Sequence, residues 1–412
     1  MTIAPTDLPL LLLDLIASRR PLPLERIAAL DDDDWRAIDA MAREHRLRPL
    51  LHRRLATHEP VRGIPADLRA AWADTYRRVA LRSLACQREL MILHDLLEAA
   101  GSPYLALKGA YLAWHAYPEP GLRPLRDLDL LVPGDRAMEL FRMLLDRGYQ
   151  RTKNYEGDPQ AHLETSHQLP PLHSPSSEVT VELHTHLFHR DERRAEVRDP
   201  SGDPAYWHRA IDRPMMARIL HFPAPEDILV HLIEHAVYGH QFDNGPLLLS
   251  DIAFLVERHA IDWPLFWRLA DEAQCRRGAM LSFALVRHYW PDIAIAGPEG
   301  GEETVPEAVA VAAARASLRG GGHRKSDNLL INARLTDGGH RRAAHVWRRL
   351  FPERNHIALI YPVRAGSPLI PFFYAKRLWT LATERLPTVI ARRSSDTVDG
   401  LVLIHRWLDR RG

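Results

Sequence analysis

At 412 residues the chain is too long for one ordinary domain and is sized for two or three. Hydrophobic residues make up 46%, enough for a sizeable core, and a formal net charge of +1 excludes a global attraction to nucleic acid or to an anionic membrane. The two cysteines, Cys86 and Cys275, lie far apart, which excludes a disulfide framework or a cysteine zinc site and predicts two buried thiols in a reducing cytoplasm.

The apolar run at 8–16 is interrupted by Asp14 and is too short to cross a bilayer. No lysine or arginine precedes it, as a signal peptide would require, so it predicts a first amphipathic helix. Asp31, Asp32, Asp33 and Asp34 stand ahead of Trp35, an acidic turn suited to the positive end of a helix dipole, and Ile38, Met41 and Ala42 follow at helical spacing. A long helix is predicted over 65–100, its apolar positions being Leu68, Ala71, Val79, Leu84, Leu90, Ile92, Leu93, Leu96 and Leu97. Gly101 and then Pro103 end it.

From Pro103 the pattern changes. A strand at 104–107, a helix at 109–117 and a turn-rich loop at 118–124 precede a strand at 128–132, which Pro133-Gly134 stops. A helix over 136–147, closed by Gly148, and a strand at 179–183 follow. Strands alternating with helices predict a small α/β or α+β domain. Helices return at 226–237, 247–258, 264–273 and 280–290. A Gly, Pro and Glu-rich linker is predicted at 294–304, a flexible point at Gly320-Gly321-Gly322 and a helix at 341–350. The basic stretch in that last helix, with Trp347, reads as a solvated face, so nucleic acid is not indicated.

The chemistry concentrates in Asp127-Leu128-Asp129. Side chains alternate along a strand, so the two carboxylates share one face, while Leu128, Leu130 and Val132 point into a core. Their mutual repulsion is relieved by a divalent cation, an arrangement suited to phosphate chemistry. Upstream, Lys108-Gly109 falls at a strand-to-helix junction, where glycine lets the backbone approach a phosphate and free N–H groups await it. Arg123 and Arg126 precede the aspartates and are suited to gripping phosphate oxygens. Downstream, Thr180, Glu182 and His184 share one face of a strand, so Glu182 can bring a third carboxylate.

Two histidine patterns compete. His231-Leu232-Ile233-Glu234-His235 matches the His-x-x-Glu-His pattern of inverted zinc peptidases, with both imidazoles on one helical face. His184-Thr185-His186 with His189 is the strand-end pattern of metal-dependent amidohydrolases, but the helical N-terminal hundred residues do not supply that barrel.

The order of a Lys-Gly turn, an Arg-x-x-Arg-Asp-x-Asp-x-Leu-Val strand, a helix and a Val-Glu-Leu-His strand resembles the nucleotidyltransferase (DNA polymerase β-like) superfamily. More narrowly, it is similar to an uncharacterised bacterial nucleotidyltransferase group with an all-helical N-terminal region. Pro225-Glu226-Asp227 through His235, Asp251-Ile252-Ala253 and Ile261-Asp262-Trp263 share that likeness, which covers roughly residues 5–290 and, more loosely, Leu350-Phe351-Pro352. The resemblance implies an α+β fold, a small mixed-sheet core flanked by helical regions. The expected division is a helical region at 1–100, the core at 101–215, a helical domain completing the cleft at 216–293, and a linker with a mixed or helical region at 294–412.

It further implies Mg²⁺-dependent transfer of a nucleoside monophosphate from a triphosphate to an acceptor hydroxyl, with release of pyrophosphate. Asp127 and Asp129 would ligate two Mg²⁺ ions, with Glu182 as third ligand or base. Gly109 would contact phosphate through its backbone; Lys108, Arg123 and Arg126 join it as nucleotide-binding candidates, and His184, His235 and Asp251 as cleft residues. The Gly-Ser pair usual in the superfamily is replaced by Lys108-Gly109-Ala110, which leaves Lys108 or Arg126 to stand in for the serine. The acceptor is expected to be a small molecule or a peptide, and ATP is the default donor on cellular abundance. The alternatives are a nucleotide-binding protein without catalysis and the zinc peptidase.

Overall fold

The computed structural model describes residues 7–56, 61, 63–152, 157–175, 179–188, 196–301, 303–320, 330–331, 334–335, 347, 350–385 and 396–409. His189, Gly321-Gly322 and most of the helix expected at 341–350 lie outside the described residues.

Five helices open the chain: α1 (Leu8–Ile16), α2 (Leu24–Ala28), α3 (Asp32–Glu44), α4 (Arg48–Ala56) and α5 (Ala66–Ala99). The first of them is not amphipathic. Leu10 through Ile16 are all buried, and the Asp14 that seemed to mark a polar face is buried with them. Arg20 and Arg26 meet its carboxylate at 3.1 and 2.9 Å, which is how a charge is tolerated there. The acidic turn before Trp35 is a capping box. Asp31 accepts from the Asp34 amide, and the Asp34 side chain accepts from the Asp31 amide. Along α5, Leu68, Leu90, Leu93 and Leu97 are buried as expected, but Leu84 is 59% exposed. Leu84 stands on the face opposite Cys86, Leu90, Leu93 and Leu97, so an apolar residue there meets solvent in the middle of the helix.

The sheet consists of β1 (Leu105–Ala106), β2 (Asp127–Leu131), β3 (Gln150–Arg151), β4 (Leu172–His173) and β5 (Thr180–His184), in the order β1-β2-β5-β4-β3. Only β2 and β5 run parallel; the other neighbours are antiparallel, making a small mixed sheet. α6 (Lys108–Tyr111) follows β1 and widens into a π-helical turn at Leu112–Ala116; α7 (Ala137–Asp146) packs on β5. α8 (Pro159–Thr165), α9 (Pro204–His208) and a hairpin, β6 (Ile211–Met215) with β7 (Arg218–Phe222), complete this part.

The second helical region runs through α10 (Pro225–Ile233), a π-helical turn (Glu234–Gly239), α11 (Leu247–Arg258), α12 (Trp263–Glu272), α13 (Arg276–Tyr289) and α14 (Glu307–Ser317). The helix Asp396–Leu408 returns to pack on α14, where Arg277 donates to the Trp407 carbonyl at 2.7 Å. One apolar core joins Leu10 in α1 to Leu408 in that last helix. A separate small cluster of Ile357, Val363 and Ile370 holds the helices Arg354–Ile360 and Ile370–Thr380. Cys86 and Cys275 are free and buried, and burial pushes the Cys86 thiol up to about 11.

Candidate active site

The parallel register of β2 and β5 sets Asp127 opposite Thr180 and Asp129 opposite Glu182. Leu128, Leu130, Val181 and Leu183 alternate onto the other face and are buried. Period-two alternation therefore brings Asp127, Asp129, Glu182 and His184 to the same side of two adjacent strands. His184 Nε2 stands 3.3 Å from Asp129 Oδ1 and 3.7 Å from Glu182 Oε2. Gln168 Nε2 donates to Glu182 Oε2 at 2.8 Å and fixes that carboxylate. Lys108 Nζ reaches in from the turn after β1, 3.8 Å from Asp129 Oδ2 and 3.4 Å from His235 Nδ1.

These charges set each other's protonation. Burial, then the neighbouring Asp129 and Glu182 charges, push the Asp127 carboxyl up to about 7. Burial alone would also raise Asp129, but the Lys108 ammonium and the His184 imidazole overcome it and hold Asp129 well below the usual carboxylate range. His184 goes up to about 9: burial disfavours its cation, and the charge and hydrogen bond of Asp129 outweigh that. Asp129, Glu182 and His184 each present a ligand atom within 4.8 Å of the other two, a donor set able to hold a dication. Asp127 shares their face one pleat away.

Lys108 has a φ of +32°, a strained value for a residue with a side chain, and it occurs where the turn must aim its ammonium at the carboxylates. Gly109 has a steric reason for lacking a side chain. A Cβ there would fall 2.8 Å from Arg123 Nη1. Arg123 in turn is committed to Asp251, with Nε and Nη2 donating to its two oxygens at 2.8 and 2.9 Å, while the Tyr117 hydroxyl donates to the same carboxylate at 2.7 Å. Asp251 is thus buried beneath the site. Arg126 is exposed, next to Asp127.

Asp127, Asp129, Glu182, His184, Lys108 and the Arg123–Asp251 pair all line a cleft of about 830 Å³. It also takes in residues that carried no sequence signal. Arg46, at a φ of +61° between α3 and α4, enters from the N-terminal helical region; burial, with Arg126 and Arg123 nearby, lowers its pKa. His240 and Asn244 come from the loop after the second π-turn, Leu247 and Leu248 from α11, and Leu359 and Ile360 from the helix Arg354–Ile360. No local pattern marks Arg46, because its relation to the aspartates exists only in three dimensions.

The His-x-x-Glu-His segment does not form a ligand set. The helix changes to π-helical winding at Glu234, and the His231 and His235 rings sit 6.1 Å apart, edge to face. Among the described residues the triads whose ligand atoms converge are Asp129–Glu182–His184 and His94–Glu98–His221. His186 does not line the cleft; its Nδ1 lies 3.0 Å from the Thr185 hydroxyl. The five-stranded mixed sheet also differs from the closed barrel that an amidohydrolase needs.

Residues 31–291 match the protein family described as "Uncharacterised nucleotidyltransferase". The chain belongs to this family. The nucleotidyltransferase match runs from the cap of α3 past α13 and takes in every strand and all the carboxylates above. Among solved structures the chain is similar to an antigenic nucleotidyltransferase-like protein from Paracoccidioides brasiliensis, at 16% identity and a TM-score of 0.33, covering 50% of this chain and 88% of that one. No curated protein matches. Nucleotidyltransferase membership supports nucleotidyl transfer as the general activity and a nucleotide as substrate. Among the described residues of this nucleotidyltransferase no helix is long and apolar enough to cross a membrane.

Proposed function

We propose that the chain transfers a nucleoside monophosphate from a nucleoside triphosphate, by default ATP, to a hydroxyl of a small molecule or peptide in the cytoplasm, using Mg²⁺. The pairing of Asp129 with Glu182 across parallel strands, beside Asp127 at a cleft walled by cations, carries this reading. Burial and then the Asp129 and Glu182 charges lift Asp127 to about 7, and these clustered carboxylates are hard oxygen donors that fit Mg²⁺. Asp127, Asp129 and Glu182 would hold two ions, which when bound would neutralise the triphosphate and acidify the acceptor hydroxyl.

The remaining work falls to the chain's own side chains. Lys108, Arg126 and Arg46 supply cations for the triphosphate oxygens, the role the missing serine leaves open. The buried Arg123–Asp251 pair supports the Gly109 turn from below and so positions Lys108. His184 orients Asp129, and Gln168 orients Glu182. The acceptor oxygen forms a bond to the α-phosphorus as the bond to the pyrophosphate oxygen breaks. The acceptor proton passes to Glu182, and pyrophosphate leaves. Leu232, Leu247, Leu248, Leu359 and Ile360 offer apolar cover for the base or the acceptor.

The test incubates the protein with α-labelled nucleoside triphosphates, Mg²⁺ and a cell extract, beside the Asp127→Asn/Asp129→Asn double variant. Labelled product is expected from the wild type and not from the double variant. Product that persists undiminished in the double variant, or no product from any triphosphate, overturns the proposal.

A further inference from the structure

Away from the cleft, α5 and the β6–β7 hairpin meet through a second cluster of ligand-type side chains. His94 and Glu98 are four residues apart on α5 and so share a face. β7 lies against α5 and β1, and it carries His221 toward them. One ligand atom from each of His94, Glu98 and His221 lies within 4.8 Å of the other two, and His221 Nε2 is 3.7 Å from Glu98 Oε1. None of the three lines the carboxylate cleft.

A second observation points the same way. Asp212 is the cross-strand partner of His221 in the hairpin register, and its Oδ1 stands 2.7 Å from His221 Nδ1. That contact fixes the proton on Nδ1 and turns Nε2, as an acceptor, toward His94 and Glu98. A carboxylate behind the far nitrogen is the usual support of a metal-ligating histidine. His94 is held as well, its Nδ1 lying 3.0 Å from the Tyr104 hydroxyl. The nearby cation that would oppose a dication, Arg218, is neutralised by Asp95 through contacts of 2.7 and 2.5 Å.

We propose that His94, Glu98 and His221, backed by Asp212, bind a zinc-class dication distinct from the Mg²⁺ of the cleft. Two imidazoles and one carboxylate suit zinc, with a fourth position left to water or an added ligand. The ion would staple α5 to the hairpin that leads into α10, whose continuation carries His235 to Lys108. It would thereby brace one wall of the cleft without taking part in the chemistry.

The full-length protein, stripped with a chelator, is titrated with Zn²⁺ in excess Mg²⁺ that occupies the carboxylates. Co²⁺ absorption reports the ligand field. The Asp129→Asn/Glu182→Gln variant is expected to take up one equivalent of Zn²⁺ and to melt higher with it, and wild type to take up at least that one. His94→Gln and His221→Gln should lose that equivalent, and Asp212→Asn should weaken it about 10- to 100-fold. Melting of the chelated variants checks folding; the exposed Glu98→Gln serves if a histidine variant fails. Zn²⁺ uptake unchanged in the ligand variants, or lost only in the cleft variant, overturns the proposal and leaves an ion-pair network.

Discussion

A methyl group on Gly109 would come within 2.8 Å of Arg123 Nη1 and 2.9 Å of Leu125 Cδ2. Arg123 is held against swinging aside, because its Nε and Nη2 are both engaged by the Asp251 carboxylate. Gly109→Ala is therefore expected to cost about 1–3 kcal/mol in urea unfolding and to weaken triphosphate binding by moving Lys108. Asp251→Asn would leave the Arg123 charge buried against a neutral partner. It should cost about 3 kcal/mol by the same measurement. Two other residues predict a pH dependence. In the metal-free protein Asp127 rises from an ordinary 3.8 to about 7, so the fold binds more protons than the unfolded chain and loses stability as pH climbs between those values. His184 rises from 6.5 to about 9, so its contribution is complete below 6.5 and fades as pH passes through 9. Melting in chelator should fall steadily from pH 5 to 9, with a shallower slope in Asp127→Asn; a flat profile would contradict both assignments. Added Mg²⁺ should stabilise most at the alkaline end, where it no longer competes with those protons.

Elements with strong local grammar were readable before any coordinates. The Asp31–Asp34 turn is the clearest case, and Asp31→Ala should cost about 1 kcal/mol in urea unfolding by removing the acceptor for the Asp34 amide. The alternation of β2 and β5 was equally readable, which is why Asp127, Asp129 and Glu182 fell on one face. What stayed hidden lacked room for a pattern. β3 and β4 have two residues each, too few to alternate. The β6–β7 hairpin carries Pro214 in one strand and Met216 at a φ of +53° in its turn, neither of which announces a hairpin. Asp14 in α1 misled because its arginine partners follow in sequence, beyond the helix itself. At Gly109 the steric requirement set by Arg123 was not legible. Close approach to a phosphate and close approach to Arg123 look the same in a sequence.

At the scale of the molecule, the main core and the small Ile357–Val363–Ile370 cluster differ in how much apolar surface they bury. Three buried side chains hold the helices Arg354–Ile360 and Ile370–Thr380, while α11 buries nine consecutive residues, Leu247 through Leu255. Hydrogen exchange should therefore open the amides of Arg354–Ile360 and Ile370–Thr380 well before those of α11. Equal protection would mean that the smaller cluster is held by something other than its own packing. Yet Leu359 and Ile360, on the helix that this cluster anchors, line the same cleft as Arg46, which lies between α3 and α4. Because a protein emerges from the ribosome N-terminus first, the strands bearing Asp127, Asp129 and Glu182 are synthesised before the helix bearing Ile360. A growing chain would own the acidic sheet before it owned the whole cleft, with Leu359 and Ile360 the last of the lining to arrive.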